Sequence, residues 1–463
     1  MRSPWDHDLL DALRQIGDPR LDRSGETPAP WRSVPFAPPH EAYVGLEEVR
    51  LLQTWRRMPN GALPEQVPPN DPYWTHDPTS ADDRQLQVAQ DLFVLNGGEI
   101  AGALLMAALP ATYASRTGAE VLAQTGELNS NARRRISETA QFTVDVLFPD
   151  ESVLYEVSTP PAPSKSRSLK PGGHGYTRVL STRLTHAVIR ELITSRGWDP
   201  TKVAGVPRHE KILRGVPINQ EDLLGVLGTF TISVIDAVDK LGVHWTAEAQ
   251  QAYVDLWDRV GALLGIGSRE VTTALREKGI RIPAEYHGRL RPRTVTELRE
   301  LTELIIERSW PIPKQQMHVP PFDTMKGKVL ARALLDELET AMPRGMERLP
   351  LMVMRYLVRP EAQELLGLGG GGLADTFAQV PYFLRRRRTG PLWLGERVVG
   401  TGMRMLANEV SRRSFVHFIR TRADDEHASD FWFPAIAAEH LRRPRGAADS
   451  RAARSEQSAG SLS

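Results

Sequence analysis

Three side chains stand out by type and spacing. His186 lies within Tyr176–Thr194 (YTRVLSTRLTHAVIRELIT), with Arg183 three residues before it and Arg190 four after. Residues three and four apart share a helical stripe, so one imidazole and two guanidiniums face the same way. An imidazole nitrogen suits a metal, and guanidiniums suit carboxylates. Iron in a macrocycle carrying propionates would satisfy all three. The alternative is a core histidine whose neighbouring arginines reach solvent or a carboxylate. A second group is Arg135 and Thr139, four apart in Ser130–Leu147, with Glu138 placed to pair with Arg134 or Arg135. Opposite a haem, Arg135 and Thr139 would offer dioxygen one charged donor and one hydroxyl. Arg134 reads as part of a solvated face.

These side chains need helices to place them. Around His186 stand Val179, Leu180, Leu184, Ala187, Val188, Ile189, Leu192 and Ile193. A helix apolar on nearly every side lies inside a bundle. Asp82–Ala108 has a long helical pattern, interrupted at Asn96-Gly97-Gly98 and closed by Pro110. Each glycine weakens a helix by about 1 kcal/mol, so the pair marks either a break or the close approach of another body, such as a flat cofactor. Leu92, Phe93, Leu104 and Phe142 are candidate lining for an apolar channel. Further helical patterns cover Pro4–Gly17, Glu41–Arg57, Gly118–Thr125, Asn219–Leu241, Thr246–Leu264, Thr294–Ser309, Asp323–Ala341, Leu349–Leu366 and Arg397–Ile419. Asn219, Thr246 and the acids Glu221 and Asp222 are typical of helix starts. Strand signals are scarce, which predicts an all-α protein.

The 463 residues are expected to divide as an N-terminal extension (1–80), a main helical core (81–267), a C-terminal helical region (268–441) and a polar tail (442–463). Net charge is +1, which argues against nucleic acid as a partner. There is no cysteine, so disulfides, thiolate ligands and covalent haem attachment are excluded. No export signal opens the chain and no apolar run spans a bilayer, so the expected location is cytoplasmic. Glu156–Gly175 is a loop placed to act as a lid, and Gly197–Gly215 is a second loop. Gly369–Gly372 is a flexible link. Arg385–Arg388, near Phe383, Leu384 and Trp393, reads as a solvated cluster or as a peripheral contact with an anionic membrane surface.

Four pieces occur in order: NGGEIAGALLMAALPATYAS, EVLAQTGELNSNARRRISETAQF, YTRVLSTRLTHAVIREL and a stretch beginning PINQEDLLGVLG. Together, over roughly Leu86–Gly267, they resemble the catalytic domain shared by latex clearing proteins (rubber oxygenases) and the fungal ER-bound oxygenase of mycophenolic acid biosynthesis. The ordered set R-x-x-x-T, R-x-x-H-A-x-x-R and P-x-N-Q-x-D-L is more specific than any one piece. The resemblance implies a globin-like helical core holding one haem b. His186 matches the proximal iron ligand, and Arg135 and Thr139 match residues beside the haem. The implied reaction is cleavage of an isoprenoid double bond by dioxygen.

Two departures shift that expectation. Rubber-cleaving members often carry a lysine where this chain has Glu138. A carboxylate is a poor ligand for ferrous iron, so the distal site is expected open or water-bound, or Glu138 acts as a base. Glu120 is a second candidate acid. Without an export signal, a small lipophile is expected in place of solid rubber. Two other readings stay open: a haem sensor or storage protein, and a cofactor-free helical interaction protein.

Overall fold

The computed structural model describes residues 4–19, 21–22, 83–124, 132–147, 169, 174–205, 212–310, 325–369, 400, 402–408 and 410. The expected helix Glu41–Arg57, nearly all of the Glu156–Gly175 loop, Arg385–Arg388 and the tail after residue 441 lie outside these residues, as do most of the tetraglycine link and most of Arg397–Ile419.

The described chain is all-α. Helix α1 is His7–Arg14, α2 Asp83–Ala103, α3 Leu109–Ala114, α4 Arg116–Gln124, α5 Ala132–Leu147 and α6 His174–Ser195. After a short hairpin come α7 (Gln220–Gly228), α8 (Val234–Lys240), α9 (Ala247–Leu263), α10 (Arg269–Glu277) and α11 (Val295–Ser309). Helices α12 (Met325–Thr340), α13 (Leu349–Leu357) and α14 (Pro360–Leu365) complete the set. The hairpin pairs β1 (Val203–Gly205) with β2 (Ile212–Leu213), antiparallel, inside the loop expected over Gly197–Gly215.

Helix starts follow their caps. The side chains of Asn219, Thr246 and Thr294 accept from the amides of Asp222, Ala249 and Glu297 at 2.9, 3.2 and 3.1 Å. Each satisfies an N–H that the first turn leaves open.

Two expectations need correction. Pro110 does not close the second helical pattern. A π-turn, Leu104–Ala108, widens the ladder and α3 continues through Pro110 in its first turn. A proline has no N–H to give, so it is tolerated where the ladder has just been re-registered. The Asn96-Gly97-Gly98 interruption is a kink at Asn96 (φ −127°, ψ 27°), whose side chain accepts from the Trp245 indole at 3.2 Å. A Cβ on Gly98 would lie 2.7 Å from Asn408 Oδ1. The body that approaches Gly98 is the 402–408 helical segment.

Helix α6 runs inside the bundle, packed against α5 and α9. Val179, Leu180 and Ile193 are fully buried on it. Helix α1 belongs to the same body: Leu9, Leu10 and Leu13 pack with Leu223, Leu224 and Leu301 in a core of their own. No single helix among the described residues is long and apolar enough to cross a membrane.

Candidate active site

The helical repeat sorts the side chains of α6. Successive residues turn by about 100°. Measured from His186, Thr182, Ile189, Arg178 and Thr185 fall on one side, and Arg183 and Arg190 fall on the other. The first group borders a cavity of about 350 Å³. His186 stands at the edge of that face, half-buried, with its ring on the cavity.

The other side is sealed. Arg183, 1% exposed, forms a two-pronged pair with Asp18, Nε to Oδ2 at 2.5 Å and Nη2 to Oδ1 at 2.9 Å. Arg190 Nε donates to Asp22 Oδ1 at 2.8 Å, and its Nη1 donates to the Ile218 carbonyl at 3.1 Å. Burial pushes the Asp22 carboxyl up, against the pull of Arg190. Gly265 permits the Arg183 contact. It sits at φ +78°, and a Cβ there would lie 2.6 Å from Arg183 Nη2. Arg183 and Arg190, expected beside His186 as propionate partners, thus hold carboxylates of the N-terminal segment and do not line the cavity.

Most of the cavity wall is apolar. Helix α5 contributes Ile136, Thr139 and Phe142; Phe230 and Trp257 come from the segment after α7 and from α9. The Phe230 and Trp257 rings meet edge to face, with centroids 5.0 Å apart. Of the expected lining, Phe142 is present, while Leu92, Phe93 and Leu104 belong to the main core. Thr139 is on the wall. Arg135 lies one turn before it in α5, and the side chains of Arg135 and Glu138 lie outside the described residues. Glu120 is turned away from the cavity toward Arg214, with a Nε–Oε2 contact of 3.0 Å, and toward Lys326 at 3.7 Å.

Two charged side chains on the wall escaped sequence reasoning. Arg178 Nε donates to Asp145 Oδ2 at 2.6 Å. Its signal was the spacing 178, 182, 185, 186, 189, one face of a helix. Asp222 accepts from Thr117 Oγ1 at 2.9 Å and from Asn219 Nδ2 at 2.7 Å. Burial pushes its carboxyl up; Arg14, 3.7 Å away, opposes this and Glu221 reinforces it. Arg14 and Arg308 share the fully buried Glu221 at 2.6 and 3.0 Å, so this corner is a buried ionic cluster. Burial and the charge of Arg14 pull Arg116 down to about 9.

An apolar cavity with a few convergent polar groups is the usual form of a small-molecule site. Residues 86–389 match the family described as "ER-bound oxygenase mpaB/B'/Rubber oxygenase, catalytic domain", and the chain belongs to that family of oxygenases. The match continues well past Gly267. Among solved structures, "Structure of Latex Clearing Protein LCP in the closed state" is similar, at 16% identity and a TM-score of 0.48, over 88% of this chain and 85% of that one. No curated protein sequence matches.

The donor set fits a porphyrin-bound iron. One imidazole opens onto a largely apolar space. A macrocycle that supplies four nitrogens needs only one protein ligand.

Proposed function

We propose that this oxygenase holds one haem b in the α6 cavity and oxidises a small lipophile with dioxygen, by C=C cleavage or a related reaction. The observation that carries the proposal is His186, turned from the middle of a buried helix into an apolar cavity of about 350 Å³. His186 would hold the iron through an imidazole nitrogen. Bound there, the haem would supply the activation of dioxygen. Thr139 directs a hydroxyl-bearing side chain into the space from the facing helix. Arg135, one turn before Thr139, is assigned as the charged donor, and Glu138 as a base. Preorganised donors of this kind stabilise charge that develops on oxygen during reaction. Phe142, Phe230 and Trp257 exclude water and receive the apolar body of the substrate. Asp222 holds a proton more tightly than an ordinary aspartate and is the described carboxyl nearest this space.

The test is an absorption spectrum of protein produced with ample haem. The wild type should show a Soret band at about one haem per chain. His186→Ala should fold, since the ring is only half-buried, and lose that band. A colourless wild type, or a variant with an unchanged band, overturns the assignment.

A further inference from the structure

We infer that the N-terminal segment (4–19 and 21–22), which precedes the residues matched by the oxygenase family, is part of the site's machinery: it clasps α6 to α7 and so fixes the direction in which the His186 imidazole points. The inference rests on the reading of the α6 cavity as the site. The segment acts by position, since none of its described residues lines the cavity.

Two pins flank His186. Arg183 precedes it by three residues and Arg190 follows by four, so the pins stand about 10.5 Å apart along the axis at 1.5 Å per residue. Arg183 grips both oxygens of Asp18 at 2.5 and 2.9 Å, and Arg190 donates to Asp22 Oδ1 at 2.8 Å. A helix held at one point can roll about its axis. Held at two points on either side of His186, it cannot roll without breaking a buried pair. Both carboxylates also ride on one turn: the Asp22 amide donates to the Asp18 carbonyl at 2.7 Å, and the Asp18 amide donates to Asp22 Oδ2 at 2.6 Å. Leu21, 1% exposed, anchors that turn in the main core. Gly17 lets it lie close. A Cβ there would fall on Asp22 Oδ2 and lie 2.9 Å from Arg190 Cδ.

The same segment holds α7 and α4. Gln220 donates from its amide to the Ile16 carbonyl at 2.9 Å and from Nε2 to the Gly17 carbonyl at 2.6 Å. Arg14 Nε donates to Glu221 at 2.6 Å and its Nη1 to Thr117 Oγ1 at 3.2 Å; Thr117 in turn donates to Asp222, at the α7 end of the cavity. The elements joined this way, α4, α6 and α7, all supply cavity wall. Leu9, Leu10 and Leu13 already seat α1 by apolar packing. Buried ion pairs add little net stability over such packing, because desolvation offsets their attraction. Here they add register.

Gly17→Ala and Asp22→Asn loosen the clasp without touching the cavity wall. Val353→Ala, on α13 and off that wall, is the control for a general loss of stability in urea. In haem-free protein, amide hydrogen exchange over 174–195 should quicken by about tenfold or more in both clasp variants, while exchange over α13 stays within about twofold. The control should leave exchange over 174–195 within about twofold of wild type. In protein loaded with haemin and cyanide, the low-spin ferric g values report how the imidazole plane is oriented. They should shift or broaden in the clasp variants and match wild type in the control. Unchanged exchange over 174–195, a rise spread evenly along the chain, or wild-type g values in both clasp variants overturns the inference. Should Gly17→Ala not fold, Asp22→Asn decides, since that side chain is 30% exposed and keeps its shape. Should haemin not bind to wild type, the haem reading falls and hydrogen exchange alone decides the clasp.

Discussion

The two faces of α6 carry the same residue types and have opposite fates. On one face Arg183 and Arg190 are spent on Asp18 and Asp22, out of solvent and off the cavity. On the other, Arg178 meets Asp145 at the cavity wall. His186 stands at the seam between them. Less than half a turn of helix separates an arginine that fastens the N-terminal segment from one on the cavity wall. The fastened face is what permits the open one. A helix that leaves a cavity along one side loses packing there, and the buried pairs with the N-terminal segment hold it from behind.

The strongest way to break that comparison is to unfasten the closed face. Arg183→Ala leaves the Asp18 carboxylate, 2% exposed, without its cation. Removing one partner of a buried pair costs about 3–5 kcal/mol, which urea unfolding would read directly. Replacing both partners, Asp18→Leu with Arg183→Met, should recover much of the loss, because two apolar groups leave no charge stranded. A single-variant loss under about 1 kcal/mol would mean that the pair does not fasten the helix.

The sequence made the helices legible and the roles of their arginines much less so. Apolar periodicity and caps located α6, α9 and α11 within a residue or two, and the start of α7, since local signals decide where helices begin; the single helix expected over Asn219–Leu241 is divided by a π-turn at Thr229–Ser233 into α7 and α8. His186 and Thr139 were reachable because each lies on a stripe shared with other cavity residues. Arg183 and Arg190 were read beside His186 because spacing of three and four residues puts side chains on neighbouring lines. It does not say which line faces a space and which faces a partner. Their partners, Asp18 and Asp22, lie more than 150 residues away, beyond any periodicity. Asp222 was legible as a first-turn acid. Its place on the cavity wall depends on how α7 docks against α4 and α6, which no local pattern encodes.

A milder contrast sharpens the comparison on the same helix. Leu180 is 1% exposed and fully packed, whereas Ile189 borders the cavity. Leu180→Ala should lose about 2–5 kcal/mol, since the vacated space cannot be refilled. Ile189→Ala removes a similar volume, but part of its surroundings is already empty, so the cost should fall at about 2 kcal/mol or less. Thermal or urea unfolding of the two variants gives the difference. Equal losses would mean that the cavity face is as tightly packed as the closed one.

The smallest effect concerns charge at the far end of the cavity. Burial raises the Asp222 carboxyl above the ordinary aspartate value of 3.8. The folded protein then holds the proton more tightly than the unfolded chain. That contribution is greatest below the unfolded value and is lost as pH rises through the folded one. Asp222→Asn stays neutral throughout. Its stability relative to wild type should therefore shift in favour of the variant as pH rises from about 3.5 to neutrality. Urea midpoints taken at a series of pH values measure the shift. A difference that is flat, or that moves against the variant, would put the Asp222 carboxyl at or below its ordinary value. Arg14 would then outweigh burial, and this end of the cavity would be a settled ion pair, as Arg183 with Asp18 is on the opposite face.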